Sequence, residues 1–308
     1  MFKFLYCTDI HGHVLKYNKV YRFAIENNIK IINIGADLLP NYRTAQEKFV
    51  KAFLNRYYSK CKKNNIELLA QFGNDDPPYL KNIYKGTLLY NNPFNVGDYI
   101  FYGYDKVLDY PFCNKDLCKL DHKDWKRPPK EEYGLGYEEK LKKGIVDELD
   151  FLYEINFRYR NAIVNYSPFY FDNDGNKIEI KDLDEYLNKK PTIEDDLRKM
   201  YGGKNTIYCI HQPPYKLGLD VIYKKDKNGK NKEIGSKSVY EWAQREKPLL
   251  ILCGHAHESF DVTGKWKEKI GETIVIQPGQ SNKNFDKVIV VYIEIENFNV
   301  VNAVRIEL

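Results

Sequence analysis

Five short stretches carry the side chains of this sequence best suited to holding metal ions. They are Asp9-Ile10-His11, Gly35-Ala36-Asp37, Gly73-Asn74-Asp75-Asp76, His211, and Gly254-His255-Ala256-His257. Each alone is a weak signal. An Asp-x-His arises often by chance, and a solitary histidine at a strand end is usually a hydrogen-bonded core or surface residue. Jointly they are far more informative, because four of the six histidines in the chain fall within them. Each stretch also follows an apolar run of strand character. Ligands of open α/β sheets gather at the carboxyl ends of strands.

The chemistry that fits is a pair of divalent cations. Extended-chain alternation would set Asp9 and His11 on one side, a carboxylate oxygen beside an imidazole nitrogen. The same spacing lets His255 and His257 reach two adjacent ions. Asp37 can bridge with its two oxygens, and Asn74 offers a neutral carbonyl oxygen. Gly73 lets the backbone approach closely. Oxygen and nitrogen donors without thiolate suit manganese, iron, zinc or nickel and do not choose among them. Ions ~3.5–4 Å apart acidify a shared water. The carboxylates of Asp9 and Asp37 leave such a pair with excess positive charge, which attracts a phosphate anion and stabilises charge developing on its oxygens.

The elements that must position these residues alternate. Phe2 to Cys7, Lys30 to Ile34 and Ile66 to Phe72 read as strands. Lys16 to Asn27 lies between the first two and has apolar residues at helix spacing. Thr44 and Glu47 form a capping-box pattern ahead of a stripe made by Val50, Phe53, Leu54, Tyr57 and Cys61. Units of this kind imply a parallel sheet with helical cover. After the middle of the chain, Thr206 to Ile210, Pro248 to Cys253 and Thr273 to Ile276 read as strands. Ser238 with Glu241 marks a helix between the first two. Lys287 to Glu294 and Asn299 to Leu308 should pair as a terminal hairpin.

Residues 109–203 differ and read as an elaboration of one domain spanning 1–308, a cap-like insertion between core elements. Pro111 to Gly136 is polar and irregular. Leu141, Ile145, Leu149 and Leu152 follow at helix spacing. Asp172-Asn-Asp-Gly-Asn is a turn signal between short β-like runs. Thr192 can cap a helix ending at Gly202-Gly203.

Composition narrows the classes. The chain has 308 residues, 48 basic and 43 acidic, for a net charge of +5. That length allows one large domain or two small ones at ~100–200 residues each. No apolar run approaches the ~18 residues of a membrane helix, and the first eight residues are too short for a signal peptide. Six cysteines are too sparse for a disulfide framework. Cys7, Cys209 and Cys253 read as small buried hydrophobes, and Cys113 with Cys118 lacks the second pair of a zinc site. These points indicate a cytoplasmic protein without a membrane partner; they leave the oligomeric state open. The basic stretches Lys115 to Lys130 and Tyr223 to Lys232 read as solvated loops. No basic and aromatic track of the kind that holds single strands is visible, so nucleic acid is not the favoured partner.

The ordered set resembles the calcineurin-like metallophosphoesterase superfamily, whose pattern is D-x-H, G-D or G-x-D, G-N-H-D/E, a single His, then G-H-x-H. His211-Gln-Pro-Pro, Leu219-Asp220, Gly235-Ser236, Pro248, Gly254-His-Ala-His-Glu-Ser259 and Pro278-Gly279 resemble a prokaryotic subgroup related to cyclic-nucleotide phosphodiesterase-like proteins. The resemblance implies an α/β fold, a two-sheet β-sandwich flanked by helices in four layers. It implies that Asp9, His11 and His257 hold one metal ion, that Asn74, His211 and His255 hold the other, and that Asp37 bridges them. It implies attack by metal-bound hydroxide on a small or nucleotide phosphodiester or phosphomonoester. A nuclease, or a non-catalytic metal-binding scaffold of the same fold, is the alternative.

Two departures stand out. Ala36 replaces a frequent Asp, while Asp37 still supplies a bridging carboxylate. Asp75 replaces the histidine that protonates the leaving group or contacts the phosphoryl oxygens in the family. Asp75 and Asp76 are thus the candidate catalytic pair. An aspartate acts as an acid only with a pKa raised from its usual ~3.9, and nearby cations push it down. The replacement therefore implies a preference for good leaving groups. Asp76 reads equally as a residue that orients its neighbours or as a turn cap. His13 reads as a helix start or a phosphate contact, His122 as solvated, and Thr8 as strand-end packing.

Overall fold

The computed structural model describes residues 1–40, 43–90, 92–110, 114–126, 168–225, 229–280 and 286–308. The N-terminal third runs β1 (Phe2–Cys7), α1 (Val14–Glu26), β2 (Ile31–Ile34), α2 (Arg43–Phe49), a π-helical turn (Val50–Leu54), α3 (Asn55–Lys63) and β3 (Glu67–Ala70). Short strands follow: β4 (Thr87–Leu88), β5 (Phe94–Val96), β6 (Tyr99–Tyr104), β7 (Val107–Leu108) and β8 (Cys118–Lys119). The described part of the middle adds β9 (Phe169–Phe171), β10 (Lys177–Glu179), α4 (Leu183–Asn188) and α5 (Ile193–Leu197). The remainder comprises β11 (Thr206–Ile210), β12 (Val221–Lys225), β13 (Asn231–Glu233), α6 (Lys237–Glu246), β14 (Leu250–Leu252), α7 (Ser259–Thr263), β15 (Lys267–Ile270), β16 (Thr273–Ile276), β17 (Ile289–Glu296) and β18 (Asn299–Glu307).

Two six-stranded mixed sheets result, in the orders β18-β17-β1-β2-β3-β4 and β15-β16-β14-β11-β6-β5. β1 to β4 run parallel, as do β6, β11, β14 and β16. The layering follows from alternation along strands buried on both faces. In β1, Phe4 and Tyr6 join Phe101, Ile207, Cys209, Leu250 and Leu252 in a core between the sheets. Leu5 and Cys7 face the other way, onto Tyr17, Val20 and Ala24 of α1 and Tyr57 and Cys61 of α3. In β11, Ile207 and Cys209 point inward, while Tyr208 and Ile210 pack on Val239, Trp242 and Ala243 of α6. Helices thus cover both outer faces of a two-sheet sandwich, the four-layer arrangement that the family resemblance implied.

Several local expectations are corrected. Arg43 is already helical, so Thr44 lies inside α2 rather than capping it. The cap of α6 is Ser236, whose side chain accepts from Val239 N–H; Ser238 sits in the first turn. Thr192 does cap α5, with a capping box to Asp195, but the helix stops at Leu197, short of Gly202-Gly203. Tyr223 to Lys232 is not a plain loop, because β12 and β13 pair antiparallel across it. Nor is Lys115 solvated: it is fully buried, donating to Asp109 Oδ1 at 2.6 Å and to Tyr110 O at 2.7 Å. The expected hairpins β9–β10 and β17–β18 are present. Cys113 and the stripe from Leu141 to Leu152 lie outside the described residues.

Candidate metal centre

All seven expected ligands sit just beyond strand ends: Asp9 and His11 after β1, Asp37 after β2, Asn74 after β3, His211 after β11, and His255 and His257 after β14. The parallel strands of both sheets end together, so one mouth of the sandwich receives them all. Extended alternation, however, is not what aligns Asp9 with His11. Both residues have left-handed backbone, at φ 54° and 48°. A ladder to the next loop aligns them instead. Asp9 N donates to Ala36 O at 2.9 Å, His11 N to Asp37 O at 2.8 Å and Gly12 N to Leu38 O at 2.9 Å. Asp37 and His255 are also left-handed, at φ 48° and 70°. Non-glycine residues in this region carry strain that only a well-determined surrounding maintains.

The donors converge in two groups. One donor atom from each of Asp9, His11, Asp37 and His257 lies within 4.8 Å of every other. His11 Nε2 is 3.2 Å from His257 Nε2, which is 3.1 Å from Asp9 Oδ1. In the second group Asn74 Oδ1 is 3.0 Å from His211 Nε2 and 3.0 Å from His255 Nδ1. Asp37 Oδ2 belongs to both, at 3.9 Å from His11 Nε2 and 3.3 Å from His211 Nε2. Two glycines make the convergence sterically feasible. A Cβ on Gly73 would lie 2.1 Å from Asp37 Oδ1, and one on Gly254 would lie 2.5 Å from Asp9 Oδ2.

Electrostatics fit a cation. Burial, with His211 close by, pushes His255 down to about 3, and burial pushes His11 down to about 4, so both rings are neutral with a lone pair to give. Burial opposes charge on the carboxylates, yet their histidine neighbours outweigh it. Asp9 falls to about 2 against His257, and Asp37 falls well below the carboxylate range against His211 and His11. His257 rises correspondingly to about 9 despite burial, and His211 also rises. Protons on these two rings stand where a divalent ion would place its charge. The donor set accordingly fits metal. Cys7, Cys209 and Cys253 lie buried in the strands beneath it, their thiols pushed up by burial, and contribute no ligand.

Asp75 and Asp76 part company. The Asp75 side chain is 40% exposed, with Oδ2 3.8 Å from His11 Nδ1 and Oδ1 accepting from Asn74 Nδ2 at 3.0 Å. Asp76 is fully buried. Its carboxylate accepts from the backbone N–H groups of Gly73, Leu38 and Leu39, each at 2.9 Å. It therefore joins the Asp37 loop to the Asn74 loop, the orienting role, and does not face the donors. His13 stands at the N-terminal cap position of α1. Sequence reasoning missed several supports: Gln46 Nε2 donates to Asp75 O at 2.8 Å, Gln280 Nε2 to Thr8 O at 3.1 Å, and Asn114 Nδ2 to Asn74 O at 3.5 Å. Only Gln280 had a signal, its place beside Pro278-Gly279.

Among the described residues no helix is long and apolar enough to cross a membrane. No curated protein sequence matches the chain. Among solved structures, one with a TM-score of 0.51 covers 99% of this chain and 98% of its own at 13% identity, which shows a shared fold. TT1561 of Thermus thermophilus is similar at a TM-score of 0.47 and 14% identity, over 94% of this chain and 93% of that one. A dimetal phosphatase from Danio rerio is similar at 0.47 and 10% identity, over 99% and 98%. The model of the calcineurin-like phosphoesterase family matches residues 2–259. With that match over most of its length and a buried cluster able to hold metal, the chain belongs to the calcineurin-like phosphoesterases, metal-dependent hydrolases of phosphoester bonds.

Proposed function

We propose that this chain is a dinuclear phosphohydrolase acting on a small phosphodiester or phosphomonoester, such as a nucleotide. The observation that carries the reading is the division of the donors into two groups sharing Asp37 Oδ2. Asp9, His11 and His257 with Asp37 would hold one ion; Asn74, His211 and His255 with Asp37 would hold the other. Manganese, iron, zinc and nickel all suit these donors. Two such ions supply Lewis acidity toward phosphoryl oxygens and an acidified water.

The protein's part is placement. His11 and His255 stay neutral through burial and so present lone pairs. Asp37 is fixed by Asp75 N–H, which donates to its Oδ1 at 3.0 Å. Asp75 offers a carboxylate where a donor would assist the leaving group, which favours substrates whose leaving group departs without a proton. Residues 109–203 serve in this reading as a cap-like insertion of a single domain. In support, Asn114 reaches Asn74 O, and Phe171 of β9 packs on Tyr79, with ring centroids 5.5 Å apart, just beyond the Asn74 loop.

The test is hydrolysis of bis(p-nitrophenyl) phosphate and p-nitrophenyl phosphate by manganese-loaded protein, with metal content measured alongside. Two ions per chain and metal-dependent turnover are expected, with Asp37→Asn losing both. A protein that holds two ions yet turns over neither ester would refute the catalytic reading.

A further inference from the structure

We propose that the N-terminus of α1, with the ammonium of Lys16 beneath it, is a phosphate-binding site distinct from the metal donors. The anion it takes is a second phosphate group of the molecule hydrolysed, or free phosphate. The first source rests on the phosphohydrolase reading above; the site itself does not.

Lys16 is the residue that the fold leaves unexplained. α1 buries Lys16, Tyr17, Val20 and Ala24 along one stripe. The other three are ordinary core residues. Lys16 is 0% exposed, and its Nζ has no hydrogen-bond partner. Among the described residues it forms no ion pair either. Lys115, equally buried, shows the contrast, with Asp109 Oδ1 at 2.6 Å. An ammonium taken out of water is costly unless an anion meets it. At Lys16 the chain does not supply that anion.

The helix end supplies the other half of a site. Lys16 is the third residue of α1, and helical side chains lean toward the N-terminus. The ammonium therefore sits under the first turn, where the His13 ring at the cap position is within reach of its charge. The His13 side chain does not cap the turn, and the turn carries no acidic residue. Among the described residues the N–H groups of Val14, Leu15 and Lys16 have no acceptor. Such free donors and the helix dipole together favour a phosphate oxygen. Val14 and Leu15 are 41% and 63% exposed, so the turn is open from outside. A phosphate seated on it meets backbone N–H groups directly and a buried charge behind them. In surroundings of low dielectric that charge attracts across several ångströms. The turn is also near the donors. Three residues of chain, from His11 to Val14, span at most ~11 Å. One small molecule can thus place one phosphate at the donors and another on the turn.

The experiment titrates inorganic phosphate into the full chain, zinc-loaded and after chelation, at constant ionic strength. Amide NMR follows Val14, Leu15 and Lys16, and melting temperature is read in parallel. Lys16→Met keeps the length of the stem without the charge. Val14→Pro removes one N–H at a position where helices accept proline. Phosphate should shift the three amides and raise the melting temperature in both forms, because the site does not need metal. Lys16→Met should melt higher than the unmodified protein without phosphate and bind phosphate about tenfold more weakly or worse, the scale of one charge-assisted contact. Val14→Pro should weaken binding by a smaller factor. With metal restored, Lys16→Met should lower kcat/KM for ADP at least about tenfold more than for AMP if the second phosphate of a substrate is the occupant. Equal effects on ADP and AMP, with phosphate binding lost, assign the site to free phosphate. Amides and melting temperature that ignore phosphate in the chelated protein overturn the proposal, as does equal phosphate binding by Lys16→Met and the unmodified chain. Absence of turnover with any ester sinks the phosphohydrolase reading and leaves the phosphate titration to decide the site. If Lys16→Met does not fold, the unmodified chain and Val14→Pro decide.

Discussion

Asp76 shows how much a residue without access to solvent can govern. Its three backbone hydrogen bonds fix the distance between the loop that carries Asp37 and the loop that carries Asn74. An Asp76→Asn substitution points an amide N–H₂ at one of those N–H groups. Supporting residues of metal ligands typically change affinity ~10–100-fold when replaced, and an unsatisfied buried donor costs about 1–3 kcal/mol. The variant should therefore bind manganese about 10–100-fold more weakly in a metal titration and unfold at lower urea. Unchanged affinity would place the registration of the two loops elsewhere. At this scale the ligand types and their strand-end positions were legible, because Asp, His and Asn after apolar runs are unusual company. The way Asp9 and His11 come together was not. It depends on left-handed backbone and on a ladder to residues 36–38, neither of which a local pattern announces.

Among the elements, α6 was foreseen but its first residue was not. Ser236 and Ser238 both satisfy the cap rule in sequence, and tertiary contacts separate them. Ser236 Oγ donates to Asp121 Oδ1 at 2.5 Å while accepting from Val239 N–H at 3.0 Å, and Asp121 Oδ2 takes Lys237 N–H at 2.9 Å. A carboxylate from far earlier in the chain thus completes the helix N-terminus, where its charge is also favoured. Ser236→Ala should lower stability by about 1–2 kcal/mol, the usual cost of a lost cap, read as a shift of the urea midpoint. If Ser238→Ala costs more than Ser236→Ala, the cap has been misassigned. β4 to β8 and β12–β13 were not read as strands either; their pairing partners define them more than any pattern of their own.

For the whole molecule, a parallel sheet with helical cover was legible in the apolar runs, while the two-sheet sandwich in four layers was implied by the family resemblance; β1 and β11 prove to be buried on both faces, as strands covered twice are. The mouth that gathers the ligands belongs to neither sheet alone. Four candidate ligand residues with left-handed backbone and a set of mutually facing donors are held there by the rest of the fold. Ions that bind the folded chain and not the unfolded one stabilise it by mass action, about 4 kcal/mol at a thousandfold excess over the dissociation constant. Chelation should accordingly lower the melting temperature by several degrees, and manganese should restore it in proportion to the logarithm of its concentration. A melting temperature indifferent to chelator would mean that the donors do not bind metal in the folded state.

Asp9 and His257 meet at 3.1 Å although 248 positions separate them. During synthesis the chain emerges with its first three loops long before their partners exist. Neither donor group is complete until β14 has been made and the second sheet has docked. In the proposed reading metal capture is therefore a late event that certifies a finished molecule, and a chain released short of residue 257 would lack a complete donor set.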